Sequence, residues 1–312
     1  MTARVSASRQ GCGHPRGPDA AATLATVPTA VIAFDFDPLF RLGDGAVRWE
    51  TIGIALAIFA ALVVAGAIAR ADGMRLDDLL FVVLGIVPGA VVGGRLGYVL
   101  LFPGFFAADP GRIVDPGVGS LELTLAVVGG GLSGTLVAAL LDGQPGRWVR
   151  VAPLPTLLVL GAGKLAMVLS AAGQGVPSDL AWATAYVGPG PWSTLAPEIP
   201  SNPSQVYEAI VALAVLALIA IAFSFDVFRE PTGRAFLVGV AIWAFGRIIV
   251  GMVWRDADVI GPFGVEQLLT LAVGSVFLVL ALVPAVPADR TLRQASRQSA
   301  PDWPDPTSRP PF

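Results

Sequence analysis

Three cations stand deep in apolar sequence: Arg95, Lys164 and Arg247. Arg95 is the only charged residue between Leu79 and Phe102. A charge in hydrocarbon is costly, so such residues face a bundle interior or a wet cavity and mark a functional site by default. An arginine fork holds phosphate oxygens in pairs, and a lysine adds a point charge. A ring of cations therefore suits the phosphate of an anionic lipid. Carboxylates accompany them: Glu122, Glu208 and Glu266 lie near the ends of apolar runs. They can neutralise the cations, or one of them can act as a base, with Glu208, at the outer end of its apolar run, the best placed. Plainer roles stay open, because long cations snorkel to the interface and Glu208 can simply tie an arginine in place.

These residues need elements to hold them. Seven apolar stretches, at about 51–69, 78–102, 121–141, 151–172, 205–225, 234–254 and 264–286, reach the roughly 20 residues that cross a bilayer. Of 312 residues, 54% are apolar and 14% charged, too few charges to cover a water-soluble surface. The expected fold is an all-α integral membrane protein, with seven transmembrane helices around a cavity open to the outer leaflet. The membrane domain is expected over 31–286. Residues 1–30 and 287–312, rich in Pro, Ser, Ala, Gly and Arg, read as disordered tails.

Arg70 and Arg75, Arg147 and Arg150, Arg229 and Arg234, and the arginines after 287 fall in one set of loops; the alternate loops hold only Arg112 and Arg255. The arginine-rich set is then cytoplasmic, which puts the C-terminus inside and the N-terminus outside. The five arginines before span 1 run against that rule. Counted from the outer ends of spans 2, 4 and 6, the three cations share a depth of about 10–12 Å. A net charge of −3 with scattered arginines points away from nucleic acid. The single cysteine, Cys12, and the single histidine, His14, both lie in the N-terminal tail. No metal or other cofactor is expected, and no histidine is available within the spans for acid–base work.

Gly129, Gly130 and Gly131 strip span 3 of side chains where a headgroup would need room, although close helix packing explains each glycine alone. NPSQVYE opens span 5, with Asn202 or Ser204 as its cap and Pro203 in its first turn. Capping leaves Gln205 and Glu208 unexplained. Long Pro- and Gly-rich outer loops at 103–120 and 173–204 have the character of functional loops.

From about residue 36 to 286 the chain resembles prolipoprotein diacylglyceryl transferases. The resemblance is carried by FDPLFRLGDGAVRW (36–49), GGRLGYVLLF (93–102), GGGLSG (129–134), GAGKLAMVLS (161–170), NPSQVYE (202–208) and AFGRIIV (244–250). It implies a multi-pass protein of the bacterial plasma (inner) membrane that moves diacylglycerol from phosphatidylglycerol to a lipobox cysteine of a preprolipoprotein. Its partners are then those two substrates and the surrounding membrane lipids. The site residues so implied are Arg247, Glu208 and Lys164 for catalysis, and Arg95, Tyr98, Gly129, Gly130, Gly131, Asn202, Ser204, Gln205 and Gln267 for substrate contact. The chain departs from the family pattern at several polar positions. Gly129 and Asn202 stand where the family has histidine, Lys164 where it has arginine, Met167 where it has asparagine, and Ala172 and Gly251 where it has glutamate. Two alternatives follow: an inactive relative that binds anionic lipid or lipoprotein precursors, and, more remotely, a transporter using the same charged cavity.

Overall fold

The computed structural model describes residues 31–115, 117–142, 145–228 and 233–283, so both expected tails lie outside the described residues. Among the described residues, seven helical segments are long and apolar enough to cross a membrane. They are α1 (Trp49–Ala71), α2 (Leu76–Leu101), α4 (Leu123–Asp142), α5 with α6 (Pro145–Val151 and Pro153–Met167), α7 (Ser204–Ser224), α8 (Arg234–Val250) and α9 (Val265–Leu282). A short helix, α3 (Pro103–Ala108), follows α2. The fourth crossing begins at Pro145 rather than near 151, because the segment carrying Arg147 and Arg150 is already helical. Apolar side chains on the outer faces, among them Leu56, Phe59, Leu84 and Leu136, are exposed, as lipid-facing residues are.

Two packing devices organise the bundle. Helix α1 buries Ala57, Ala61, Ala65 and Ala69, one residue per turn, and this smooth stripe lets α6 approach. Helices α2 and α4 meet along glycine: a Cβ at Gly89 would strike Ser133 and the Gly129 carbonyl, and one at Gly93 the Leu125 carbonyl. Helix α8 is central, with 44% of its apolar window buried against 11% for α2. Its Phe236, Val240, Trp243 and Ala244 pack on Leu157 and Leu160 of α6 and on Val215 and Ile219 of α7. Between α1, α2, α4, α6 and α8 lies an apolar cavity of about 370 Å³, lined by Ala61, Ile86, Val127, Gly131, Leu160 and Phe236 among others.

The described residues also hold six short strands that were not expected, all of them outside the helices. β1 (Ile32–Phe34) pairs in parallel with β4 (Thr184–Tyr186). The hairpin of β2 (Leu39–Leu42) and β3 (Gly45–Arg48) leads straight into α1, and that of β5 (Asp258–Ile260) and β6 (Phe263–Gly264) into α9. With the segment between α6 and α7 they form one loop-rich end. Arg255 stitches that segment by donating to the carbonyls of Gly175 (2.6 Å) and Leu195 (2.8 Å) and to Ser201 Oγ (3.0 Å). Phe34 stacks on Tyr186, whose centroid lies 5.0 Å away, and Trp192 closes the cluster. Burial pushes the Tyr186 phenol up to about 12.

The expected cap of α7 is not made. Pro203 precedes the helix without a side-chain cap bond. Ser204 Oγ donates to the Gly173 carbonyl (2.5 Å) and Asn202 Nδ2 to the Val176 carbonyl (3.3 Å). Ser204 thus fastens the preceding loop, and Asn202 ties that loop to the first turn of the helix, where Tyr207 Oη donates to its Oδ1 (3.4 Å).

Candidate functional site

Arg247 sits on the buried face of α8 one turn beyond Trp243, so the helix that forms the core also carries the charge inward. The residue is 2% exposed. Its Nε donates to Glu208 (3.0 Å), Nη1 to Thr124 Oγ1 (2.8 Å) and Nη2 to Glu266 (2.5 Å), while Glu122 lies 3.8 Å from Nη1. The Trp243 and Trp254 rings lie 5.3 and 4.9 Å from the guanidinium carbon, within cation–π range. Lys164 donates to the other oxygen of Glu208 at 2.9 Å. Glu208 therefore joins the two cations, and both of its oxygens are committed.

The remaining carboxylates differ in what they hold. Glu122 accepts from the backbone N–H groups of Thr124 (2.6 Å) and Leu125 (2.7 Å), satisfying orphan donors at the start of α4. Glu266 stands in the first turn of α9. Next to it Gln267 accepts from Gly264 N (2.8 Å) and donates to the Ile248 carbonyl (3.0 Å), pinning α9 on α8. Asp256 lies between α8 and α9; desolvation holds its carboxyl above the ordinary value, against the opposing pull of Arg247.

None of the cluster's side chains lines the cavity, but the cavity wall reaches close to it along the chain. Leu160, on the cavity wall, is one helical turn before Lys164, and Leu123, also on the wall, precedes Thr124. Along α6 the apolar chamber and the bridged cations thus stand one helical turn apart, and the two together can serve hydrocarbon and a phosphate.

Of the three cations expected to converge, Lys164 and Arg247 meet at Glu208, and Arg95 shares no acceptor with them. Its Nε donates to Ile113 O (2.7 Å), Nη1 to Val118 O (2.6 Å) and Ser120 O (3.5 Å), and Nη2 to Asp115 O (2.9 Å) and to Arg112 O. All five N–H groups are occupied by one loop. Phe106 lies under the guanidinium, and Tyr98 packs beside Gly119 of the same loop. The room expected at Gly129 is likewise filled, because a Cβ there would strike the Gly89 carbonyl of α2. Gly130 and Gly131 do line the cavity. Gln205 is fully buried; its Nε2 donates to Tyr186 Oη (3.2 Å), and its Oε1 has no hydrogen-bond partner among the described residues. Thr124, Trp243 and Trp254 went unnoticed in the sequence. The spacing of Trp243 four residues before Arg247 was the available signal, since residues so spaced share a helix face.

The prolipoprotein diacylglyceryl transferase family matches residues 37–283. Among curated proteins, the phosphatidylglycerol–prolipoprotein diacylglyceryl transferase of Geobacter sulfurreducens is 28% identical over 258 residues, covering 79% of this chain and 95% of that protein. The protein of the same name from Acaryochloris marina is 26% identical, with 75% and 85% covered. That from Methylibium petroleiphilum is 31% identical, with 67% and 81% covered. The family match takes in the ion cluster, the cavity and all seven membrane-spanning segments, and the chain belongs to the prolipoprotein diacylglyceryl transferase family.

Proposed function

We propose that this protein transfers diacylglycerol from phosphatidylglycerol to the thiol of a lipobox cysteine on a prolipoprotein. It does so in the bacterial plasma membrane, with its loop-rich end outside. The observation that carries the reading is the pair Lys164 and Arg247, bridged by Glu208 at 2.9 and 3.0 Å, in a bundle whose apolar cavity reaches Leu160, one helical turn before Lys164. The acyl chains of the donor lipid lie in the cavity and its phosphate against the cations. Lys164 Nζ gives one of its three N–H bonds to Glu208. Arg247 retains one N–H on each Nη without a hydrogen bond among the described residues. These donors meet the phosphate.

Reaction breaks the C–O bond between diacylglycerol and phosphate, and glycerol phosphate leaves with the electron pair. Charge grows on the departing oxygen, next to donors already fixed by Glu208, Glu266 and Thr124, and such preorganised donors stabilise a transition state more than a ground state. Lysine in the place of arginine keeps the charge and gives up the bidentate fork. Expression in a strain depleted of its own transferase tests the reading. Growth and lipoprotein modification are expected with wild type and not with Arg247→Ala. A wild type that reaches the membrane, retains phosphatidylglycerol and modifies no lipoprotein would instead mark a lipid-binding relative.

A further inference from the structure

The attack requires a thiolate, and no histidine lies among the described residues. The cluster holds three carboxylates, which the geometry separates. Glu208 is committed at both oxygens to Lys164 and Arg247. Glu122 is committed at both oxygens to backbone N–H groups. Glu266 binds Arg247 through Oε1 alone, and Oε2 makes no hydrogen bond among the described residues. Its side chain is 22% exposed, against 4% for Glu208 and 2% for Glu122. Helix α8 offers no carboxylate of its own one turn after Arg247: that position is Gly251, and Gln267 occupies the space a Cβ would need. The open carboxylate thus arrives from α9, next to the cation that would hold the phosphate.

We infer that Glu266 is the base that accepts the thiol proton, an assignment that rests on the transferase reading above. The S–H bond breaks and its proton passes to Oε2 of Glu266. The sulfur lone pair forms the S–C bond to the glycerol carbon, and the C–O pair departs on glycerol phosphate. Glu266 then returns the proton to the leaving phosphate or to water at the loop-rich end. Arg247 holds Oε1 and so fixes the direction of Oε2. The other charged groups around it are Glu208 and Glu122, on the same guanidinium, and Arg247 also acts on Asp256 in the α8–α9 loop.

The test uses the full chain in phosphatidylglycerol vesicles with two lipobox peptides, one carrying cysteine and one selenocysteine. The selenol is ionised near neutral pH and needs no base. Glu266→Gln is expected to slow transfer to the thiol by about 10²-fold or more, the size of a general-base contribution. It is expected to leave transfer to the selenol within a few fold of wild type. Glu266→Asp, which keeps a carboxylate, is expected to recover part of the thiol rate. Thiol transfer by Glu266→Gln at the wild-type rate, or equal loss with both peptides, overturns the assignment while the transferase reading stands. No transfer by wild type to either peptide overturns the reading and the assignment with it.

Discussion

Replacing Arg95 by methionine separates a loop-holding arginine from a phosphate-binding one. The substitution keeps the aliphatic stem and removes five N–H donors. Two of the carbonyls they serve, Asp115 and Ser120, belong to exposed bonds and rehydrate at little cost. The other three, on Ile113, Val118 and Arg112, are part-buried. Leaving each without its charged donor costs about 1–1.5 kcal/mol, and losing the Phe106 contact costs about 0.5 kcal/mol more. The total of about 4 kcal/mol falls on one segment, 109–120. Local opening should then become about 10³-fold more frequent there, since each 1.4 kcal/mol is a factor of ten. Hydrogen exchange in lipid nanodiscs reads this directly, and native mass spectrometry reads lipid retention in the same sample. Faster exchange confined to 109–120, with preference for phosphatidylglycerol over neutral lipid intact, is the expected result. Unchanged protection of 109–120 together with lost preference for phosphatidylglycerol would refute the reasoning and return Arg95 to the phosphate.

Glu208→Ala leaves Arg247 and Lys164 without their common partner; removing one member of a buried pair costs about 3–5 kcal/mol. Thermal unfolding in detergent should fall accordingly, with Glu208→Gln affected less, and an unchanged midpoint for Glu208→Ala would contradict the cluster. Gly129→His restores the residue type the family pattern has at that position but drives its Cβ into the Gly89 carbonyl; it should destabilise the bundle by about 3 kcal/mol or more without raising activity, and a stable, more active variant would show that α2 yields there. For Tyr186 the folded pKa of about 12 lies above the unfolded value of about 10, so its contribution to stability is fully present below pH ~10 and is lost as pH rises to about 12. The absorbance titration of wild type minus Tyr186→Phe should have its midpoint near 12, and a midpoint near 10 would deny the burial.

The spans were legible because their signal is local: apolar runs of bilayer length need nothing from the rest of the chain, and the larger shifts are at the start of the fourth, at Pro145, and the end of the seventh, at Leu282. The joining of Lys164 to Arg247 was half legible, since matched depth on separate helices is countable from the sequence. What matched depth leaves open is lateral direction. Arg95 shares the depth but turns to the 112–120 loop, whose backbone course no periodicity encodes. Gly129 shows a similar limit. An empty side chain signals either room for a ligand or contact with another backbone, and only the position of α2 decides between them. The strands at the loop-rich end were illegible for another reason: with two to four residues each and partners such as Thr184 for Ile32, they are set by tertiary pairing rather than by their own pattern.

Release of glycerol phosphate from phosphatidylglycerol vesicles by the purified protein, followed together with lipidation of a cysteine lipobox peptide, tests the transfer most directly. Wild type is expected to give the two products one for one and only when peptide is present, Lys164→Arg to match or exceed it, and Arg247→Ala to give neither product. Retained phosphatidylglycerol with no release and no lipidated peptide, or release that survives Arg247→Ala, would contradict it.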